Sequence, residues 1–267
     1  MRIRSDVEVA NISDVGCERA GNEDYFLYHE PDDDAEFEQR GRLILIADGM
    51  GGRNGGEVAS HLAAEVIREV YLNAGNGDND GSDRRDEDPR SVLIEGFQQA
   101  HQAILATANA DMELRGMGTT CCAAILKNGL MYYAHIGDSR IYLIRNGVAV
   151  PLTEDHSLVA RMVRDGILTP EQAINHSNRN VLTAALGVDS DSVAGDFPVD
   201  PQELVAGDIV AMCTDGLHGL VSDEEIALTT SHQSMREACK ELVGRAKVRG
   251  GPDNITVQLL KVEQIER

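Results

Sequence analysis

Tryptophan is absent from this 267-residue chain, and aromatic residues of all kinds make up only 4% of it. Because 42% of the residues are nevertheless apolar, we expect a sizeable core built from aliphatic side chains and methionine. A core of that kind suits one α/β or β-sandwich domain. We therefore predict that residues 1–267 form a single domain.

Basic residues are scarce, with 24 Lys and Arg against 45 Asp and Glu, and the net charge is -21. A field of that sign repels nucleic acids and anionic membrane surfaces. The sequence contains no apolar run long enough to span a bilayer, and no apolar stretch follows Met1 and Arg2 as in a signal peptide. The composition thus predicts a cytoplasmic protein, by default a monomer, that binds neither nucleic acid nor membrane.

Cysteines are few, odd in number and without C-x-x-C spacing, and we interpret all five as reduced thiols. They are Cys17, Cys121, Cys122, Cys213 and Cys239. Two polar segments, 30–40 with six acidic residues and 73–90 rich in Asn, Gly and Asp, predict solvated loops. The second has the composition of a mobile loop.

Short apolar runs separated by tight turns dominate the middle of the chain. Asn128-Gly129 and Asn146-Gly147 are strong hairpin signals, and they lie between runs at 119–126, 130–136, 140–144 and 148–152. Further apolar runs at 43–47, 209–214 and 255–262 predict three more strands. Strands that come in hairpins favour antiparallel sheets, and flanking helices then give an α+β fold.

Helical periodicity appears on both sides of these strands. Residues 57–71 place four apolar side chains on one face, and 91–108 predicts a helix capped by Ser91. The first face consists of Val58, Leu62, Val66 and Val70. Thr169-Pro170-Glu171-Gln172 is a capping box, and 234–248 predicts a late helix.

Three apolar runs end at Asp48, Asp138 and Asp215, and Asp253 stands just before the last run. If the strands lie side by side, the four carboxylates converge, and their mutual repulsion calls for divalent cations. Ligands that are all oxygen atoms suit Mg²⁺ or Mn²⁺ rather than structural zinc. A single Asp-Gly after a strand is more often a plain turn, so both interpretations stand at this point.

Arg19 precedes an acidic pair, Glu23 and Asp24, by four and five residues. An arginine near acids is commonly a surface ion pair of little energetic weight. A guanidinium fork beside metal ions is also suited to a bidentate grip on phosphate. His135, His156 and His218 show no metal-ligand spacing, and we interpret them as core or surface residues.

Taken in order, these motifs resemble the metal-dependent type 2C protein phosphatases, in particular their compact bacterial members. The resemblance covers nearly the whole chain. It is carried by Ser13-Asp14-Val15-Gly16, Ala47-Asp48-Gly49-Met50-Gly51-Gly52, Gly116-Met117-Gly118-Thr119-Thr120, Ile136-Gly137-Asp138-Ser139-Arg140, Asp155-His156-Ser157, Thr214-Asp215-Gly216-Leu217 and Asp253-Asn254-Ile255-Thr256. Each block alone is weak, and their joint order is the specific signal.

The resemblance implies a set of metal ligands. Asp48 would bridge two ions, the Gly49 carbonyl would bind one of them, and Asp215 and Asp253 would bind the other. Asp138 would share a third ion with Asp215. The cofactors implied are two Mn²⁺ or Mg²⁺ ions and a third in some bacterial members.

Further residues receive roles from the same resemblance. Arg19 would bind the substrate phosphate, and Glu23 and Asp24 would act on the metals through bound water. The chain departs from the family where some members carry a histidine thought to be the general acid. Met50 and Arg53 occupy the two places concerned, so no side chain is assigned to protonate the leaving group.

The implied fold is a pair of antiparallel β-sheets sandwiched between helix layers, with a helical flap at about 156–180 beside the active site. A helical excursion that merely covers a sheet edge is the alternative for that segment. The implied reaction is hydrolysis of phosphoserine and phosphothreonine in proteins by a hydroxide bridging the metals, opposing a bacterial serine/threonine kinase. Substrates would be phosphorylated proteins.

Three other functions compete with this one. A catalytically inactive binding module would be expected to have lost a ligand, yet Asp48, Asp215 and Asp253 are all present. A cation-binding protein without catalysis leaves Arg19 without a purpose. A phosphohydrolase acting on small molecules is disfavoured by the family resemblance alone.

Overall fold

The structure is a computed structural model that describes residues 3–51, 55–74, 88–188 and 193–264. The strands are β1 Val7–Asp14, β2 Asp24–His29, β3 Arg42–Met50, β4 Gly118–Thr119, β5 Cys121–Lys127, β6 Leu130–Ile136, β7 Arg140–Arg145, β8 Val148–Pro151, β9 Gln202–Glu203, β10 Ile209–Cys213 and β11 Ile255–Val262. The helices are α1 Asp34–Arg40, α2 Gly55–Asn73, α3 Pro89–Ala110, α4 Leu158–Arg164, α5 Pro170–Ile174, α6 Asp215–His218, α7 Asp223–Ser231 and α8 Met235–Val248.

The strands form two antiparallel sheets. One has the order β1-β11-β10-β7-β8, and the other has the order β2-β3-β5-β6-β9, with β4 pairing to β3. Helices α2 and α3 pack on the second sheet, while α8 packs on β1 and β11 of the first. The predicted α+β fold, with two antiparallel sheets between helix layers, is confirmed.

Side chains of the central strands alternate between two apolar layers. From β3, Leu43 and Leu45 lie in the layer beneath α2 and α3, while Ile44 and Ile46 lie between the sheets. All four are at most 1% exposed. A strand that is buried on both faces has a continuous run of apolar residues, and this run is why β3 could be predicted from the sequence.

The prediction of a loop at 30–40 was wrong, although four of its six acidic residues are exposed to solvent. The segment contains α1, capped by Asp33, and Glu30 and Arg40 are only 4% and 8% exposed. Glu30 accepts hydrogen bonds from the Tyr28 hydroxyl at 2.6 Å and from Arg4 Nη1 at 2.7 Å. Acidic composition suggested solvent, but partners on other elements allow the charge to be buried.

The N-terminus of α3 also differs from the prediction. The helix begins at Pro89, and its cap is Asp88, whose carboxylate accepts the Arg90 N–H at 3.3 Å. Ser91 lies in the first turn and donates its hydroxyl to Asp88 at 3.1 Å. Proline is favoured in the first helical turn, where its missing N–H costs nothing, and this moves the start ahead of Ser91.

The most buried face of α2 is one residue away from the predicted face. Val58, Leu62, Val66 and Val70 are only partly buried. The fully buried positions include Ala59, Ala63, Ile67 and Tyr71. Alanine gives little hydrophobic contrast in a sequence, yet its small side chain lets the helix approach the sheet and α3 closely.

Strands β1 and β2 were not predicted. Both lie at the outer edge of their sheet, and most of their residues are only partly buried. Edge strands carry mixed polar and apolar residues, so their apolar signal is weak. Of the predicted mobile loop at 73–90, residues 75–87 lie outside the described residues. No helix in the described part of the chain is both long and apolar enough to cross a membrane.

Candidate metal centre

The predicted acids come together at one end of the two sheets. Asp24 begins β2 and pairs in register with Asp48 near the end of β3. Asp215 follows β10 and Asp253 precedes β11, which is antiparallel to β10, so both lie at the same sheet end. Asp138 lies two residues after the end of β6, in the turn that begins at Gly137.

Burial and mutual repulsion act on these carboxyl groups together. Burial raises the pKa of Asp48 well above its usual range, and Asp24, Asp215, Asp138 and Asp253 raise it further. Burial likewise raises the pKa of Asp138 to about 7, with Asp215 and Asp155 adding repulsion. So many acids can stay ionised together only if cations compensate them.

Two buried oxygen atoms in the cluster have no hydrogen-bond partner within the described residues. They are Asp24 Oδ1 and Asp215 Oδ1. The other oxygen of Asp24 accepts hydrogen bonds from Thr214 at 2.9 Å and Thr256 at 2.6 Å. Unpaired hard oxygen donors beside repelling carboxylates fit Mg²⁺ or Mn²⁺, so the residues present suit the predicted cofactor.

Hydrogen bonds through two threonines and a serine connect Asp48 to the turn that carries Asp138. The Asp48 amide donates to Thr120 Oγ1 at 2.9 Å, and Thr119 donates its hydroxyl to the Asp48 carbonyl at 2.9 Å. Thr120 and Ser139, next to Asp138, share a hydroxyl hydrogen bond of 2.7 Å. A short chain of hydroxyl groups therefore connects the Asp48 end of β3 to the turn that carries Asp138.

Gly49 is required by close packing rather than by its dihedral angles. A Cβ atom at this position would lie 2.0 Å from the Gly56 carbonyl oxygen and 2.7 Å from that of Glu23. The Gly49 amide also donates to the Glu23 carbonyl at 3.1 Å. Any larger residue would push the start of α2 and the Glu23 segment away from Asp48.

Arg19 lies beside the acids, as predicted. Its Nη2 contacts Asp253 Oδ2 at 2.7 Å, and its side chain is 49% exposed. Asp253 raises the pKa of Arg19, and Glu23 and Asp48 add smaller contributions of the same sign. The guanidinium is thus both held at the acidic cluster and open to solvent.

Asn254 is a site residue that sequence reasoning missed. Its Nδ2 donates to the carbonyls of Val15 at 3.0 Å and Gly21 at 2.9 Å, and its Oδ1 accepts the Glu23 amide at 2.8 Å. It therefore ties the loop that carries Arg19 to the turn that carries Asp253. Its position next to a predicted ligand was the available signal.

Met50 and Arg53 occupy the two positions considered for a general acid. Met50 is partly buried at the end of β3 and carries no ionisable proton. Arg53 lies outside the described residues. Leaving-group protonation is accordingly not assigned to either side chain.

The predicted flap segment contains α4 and α5. Ser157 caps α4, and the predicted capping box at Thr169 is present at the start of α5. Ile167 and Ile174 are 63% and 68% exposed. The His156 amide donates to the Gly137 carbonyl at 2.8 Å, so the base of the segment adjoins the Asp138 turn.

A sandwich of two antiparallel sheets with convergent acids and an arginine at one end defines a metal-dependent phosphate-processing protein. Residues 22–249 match the family model described as protein phosphatase 2C. The chain therefore belongs to the protein phosphatase 2C family of metal-dependent serine/threonine phosphatases. The predicted family and enzyme class are confirmed.

Individual relatives agree with this assignment. The serine/threonine phosphatase stp of Listeria innocua is 34% identical over 237 residues, which cover 88% of this chain and 90% of the relative. The solved serine/threonine phosphatase of S. agalactiae is 30% identical with a TM-score of 0.82, covering 96% of this chain and 100% of that one. The catalytic domain of PstP, solved in complex with two manganese ions, is 32% identical with a TM-score of 0.78, covering 97% and 99%.

Proposed function

We propose that this chain dephosphorylates phosphoserine and phosphothreonine in proteins with two divalent ions held by Asp48, Gly49, Asp215 and Asp253. Asp138 and Asp215 hold a third ion in this proposal. The observation that carries it is the convergence of repelling acids, two of which have a buried oxygen atom with no hydrogen-bond partner among the described residues. The manganese in the PstP structure supports Mn²⁺ or Mg²⁺ as the cofactor.

When bound, the ions supply a nucleophile at neutral pH and stabilise negative charge on the phosphoryl oxygens. The chain supplies the orientation of the substrate. Arg19 donates to two phosphate oxygens, exchanging the contact with Asp253 for the substrate. Since its guanidinium stays charged and half-exposed, it also offsets negative charge that develops on the phosphoryl group.

In this proposal Asp24 and Glu23 are not direct metal ligands, and they act on the ions through bound water. Thr214 and Thr256 hold one oxygen of Asp24, and Oδ1, which has no hydrogen-bond partner within the described residues, is available for a polar contact in the site. Burial raises the pKa of Glu23, with Arg19 opposing that change. Both acids therefore respond to the charge that the site contains.

Substrate access is proposed to depend on the segment 156–180. Its exposed Ile167 and Ile174 offer apolar surface to which a phosphorylated segment of a protein could bind, and its first residue, His156, adjoins the Asp138 turn. We further propose that residues 1–267 act as one domain and as a monomer in the cytoplasm, and that the substrates are targets of a serine/threonine kinase. The five free thiols support a reducing compartment.

The test is phosphate release from a phosphothreonine peptide with Mn²⁺, with Mg²⁺ and with a chelator. We expect turnover only with metal, and a loss of at least about 100-fold in Asp215→Asn because a charged ligand is removed. Asp200→Asn, an exposed acid outside the cluster, is the matched control and should keep wild-type activity. Folded wild-type protein without turnover under any metal would refute the proposed function, and an active Asp215→Asn would refute the ligand set.

A further inference from the structure

Three histidines surround the turn that carries Asp138. His135 donates from Nε2 to the Gly137 carbonyl at 2.8 Å, and His218 donates from Nε2 to the Asp138 carbonyl at 2.9 Å. His156 accepts the Gly137 amide on Nδ1 at 3.2 Å. Gly137 itself has a φ of 100°, and a Cβ there would lie 2.5 Å from Thr120, so the turn has no room to move toward β5.

The partners of His156 fix its tautomer. Because Nδ1 accepts an amide proton, the neutral ring carries its own proton on Nε2. That nitrogen lies 3.1 Å from Asp196 Oδ2 and donates to it. Asp196 is held in turn by two backbone hydrogen bonds with His135, of 2.8 and 3.0 Å. A continuous path of hydrogen bonds thus runs from Asp196 through His156 to Gly137, next to Asp138.

A metal ion bound by the histidines is the alternative use of this cluster. His135 Nδ1, His156 and Asp196 offer ligand atoms within 4.8 Å of one another, and His135 Nδ1 is buried with no hydrogen-bond partner in residues 3–51, 55–74, 88–188 and 193–264. For His156 Nε2 to bind an ion, the ring proton would have to move to Nδ1. It would then face the Gly137 N–H, and two donors would oppose each other. The hydrogen bonds therefore favour an orienting role.

We propose that His156, held by Asp196, is a positioning residue that sets the Asp138 carboxylate for the third metal ion. The inference rests on the proposed function, in which Asp138 is a ligand of that ion. His156 is also the first residue of the flap segment, and its carbonyl accepts the Thr183 amide at 2.8 Å. The base of the flap and the Asp138 turn are thereby held by one side chain and its backbone.

The test measures Mn²⁺ binding to the full chain by the electron paramagnetic resonance signal of free Mn²⁺, alongside Mn²⁺ titrations of peptide dephosphorylation. We expect His156→Ala to weaken the ion that Asp138→Ala also weakens, by about 10-fold, as is typical when a ligand loses its supporting contact. His156→Asn keeps an acceptor near the Nδ1 position and should recover most of that affinity. His232→Ala, an exposed histidine at the end of α7, is the control.

The double variant His156→Ala/Asp138→Ala sharpens the result. If His156 acts through Asp138, the double variant binds Mn²⁺ no worse than Asp138→Ala alone. Additive losses would overturn the inference, as would wild-type binding in His156→Ala or in Asp138→Ala. A Mn²⁺ ion lost in His156→Ala but retained in Asp138→Ala would show instead that the histidines bind an ion of their own.

Two further variants distinguish a loss of metal binding from a loss of folding. Should His156→Ala fail to unfold cooperatively on heating, Asp196→Ala and Asp196→Asn test the same path from a side chain that is 61% exposed. We expect the alanine variant to weaken Mn²⁺ binding and the asparagine variant, which keeps an acceptor, to retain it. The inference would be refuted if these variants bind Mn²⁺ like wild type. If wild-type turnover still depends on Mn²⁺ in that case, the proposed function is retained.

Discussion

The two ends of the sheets both bury acidic groups, but they do so in opposite ways. At the end where β3 begins, Glu30 is almost fully buried and accepts hydrogen bonds from Tyr28, Arg4 and Arg42. At the end where β3 finishes, Asp24 and Asp215 each have a buried oxygen atom that no hydrogen-bonding group in the described part of the chain contacts. A buried acid with arginine partners is a structural feature, whereas buried acids that repel one another identify a site for cations.

Arginine content explains the difference. Arg42 binds Glu30 and also contacts both oxygens of Asp6 at 2.8 and 2.9 Å, so the first end is close to neutral. The metal end contains five carboxylates in electrostatic contact, and Arg19 contacts Asp253. The excess negative charge there is left for a ligand to compensate.

Asp48→Asn should produce the largest effect on activity. Removing the charge of the proposed bridging ligand is expected to lower the rate of peptide dephosphorylation by about 1000-fold, since the ions contribute several kcal/mol to the transition state. In metal-free buffer, the same variant should be as stable as wild type or more stable, because it relieves repulsion. Activity assays and thermal unfolding measure the two effects. An active Asp48→Asn would contradict the idea that the buried acids at this end form a cation site.

The pH dependence of metal-free stability should be the next largest effect. Burial raises the pKa of Asp138 to about 7 and that of Asp215 to about 6, from an ordinary value of 3.8. The native state then binds more protons than the unfolded state, so the free energy of unfolding falls as pH rises from about 4 to about 7. Because each pKa unit corresponds to about 1.4 kcal/mol, we expect a decrease of several kcal/mol in urea unfolding with a chelator present.

Saturating Mn²⁺ should abolish this decrease because bound cations stabilise the ionised carboxylates. Asp138→Asn is the matched variant, and it should show a shallower fall in metal-free stability over the same pH range. Metal-free stability that rises with pH would contradict the idea that the acids at this end repel one another in the folded chain.

Glu30→Gln should have the smallest of the three effects, and it acts on stability alone. The amide keeps an acceptor but removes the charge that Arg4 and Arg42 contact, which should cost about 2 kcal/mol in urea unfolding. Metal-dependent activity at saturating Mn²⁺ should be unchanged. Glu38→Gln, an exposed acid of α1, should stay within about 0.5 kcal/mol of wild type. A Glu30→Gln variant with impaired metal binding would show that the two ends are coupled.

Much of the fold was predictable because its signals are local. Asn128 and Asn146 take positive φ values of 52° and 54° in the two tight turns, and the predicted hairpins around them are present. Strand β3 was visible because both of its faces are buried. Strands β1 and β2 were not, because edge strands lack that signal, and β2 is the strand that brings Asp24 to Asp48.

The residues of the site fall into the same two groups, those with a local signal in the sequence and those without one. The predicted acids and Arg19 stand in short motifs at strand ends or in turns, and those motifs could be identified along the chain. The hydroxyls of Thr214 and Thr256 and the ring of His156 act on residues that are distant in sequence, Asp24 and Gly137. From the sequence, His156 was interpreted only as a core or surface residue, and neither threonine was assigned a role.

The family followed from the order of the motifs along the chain, and the antiparallel fold and the acids at the strand ends followed from turns and apolar runs, which are contiguous in the sequence. The tertiary structure decided which acids are neutralised by arginines and which are left to repel one another. It also decided that the start of the segment 156–180 is held to the Asp138 turn by His156. Charge compensation depends on distances between side chains from different elements, and those distances exist only after the sheets have paired and packed.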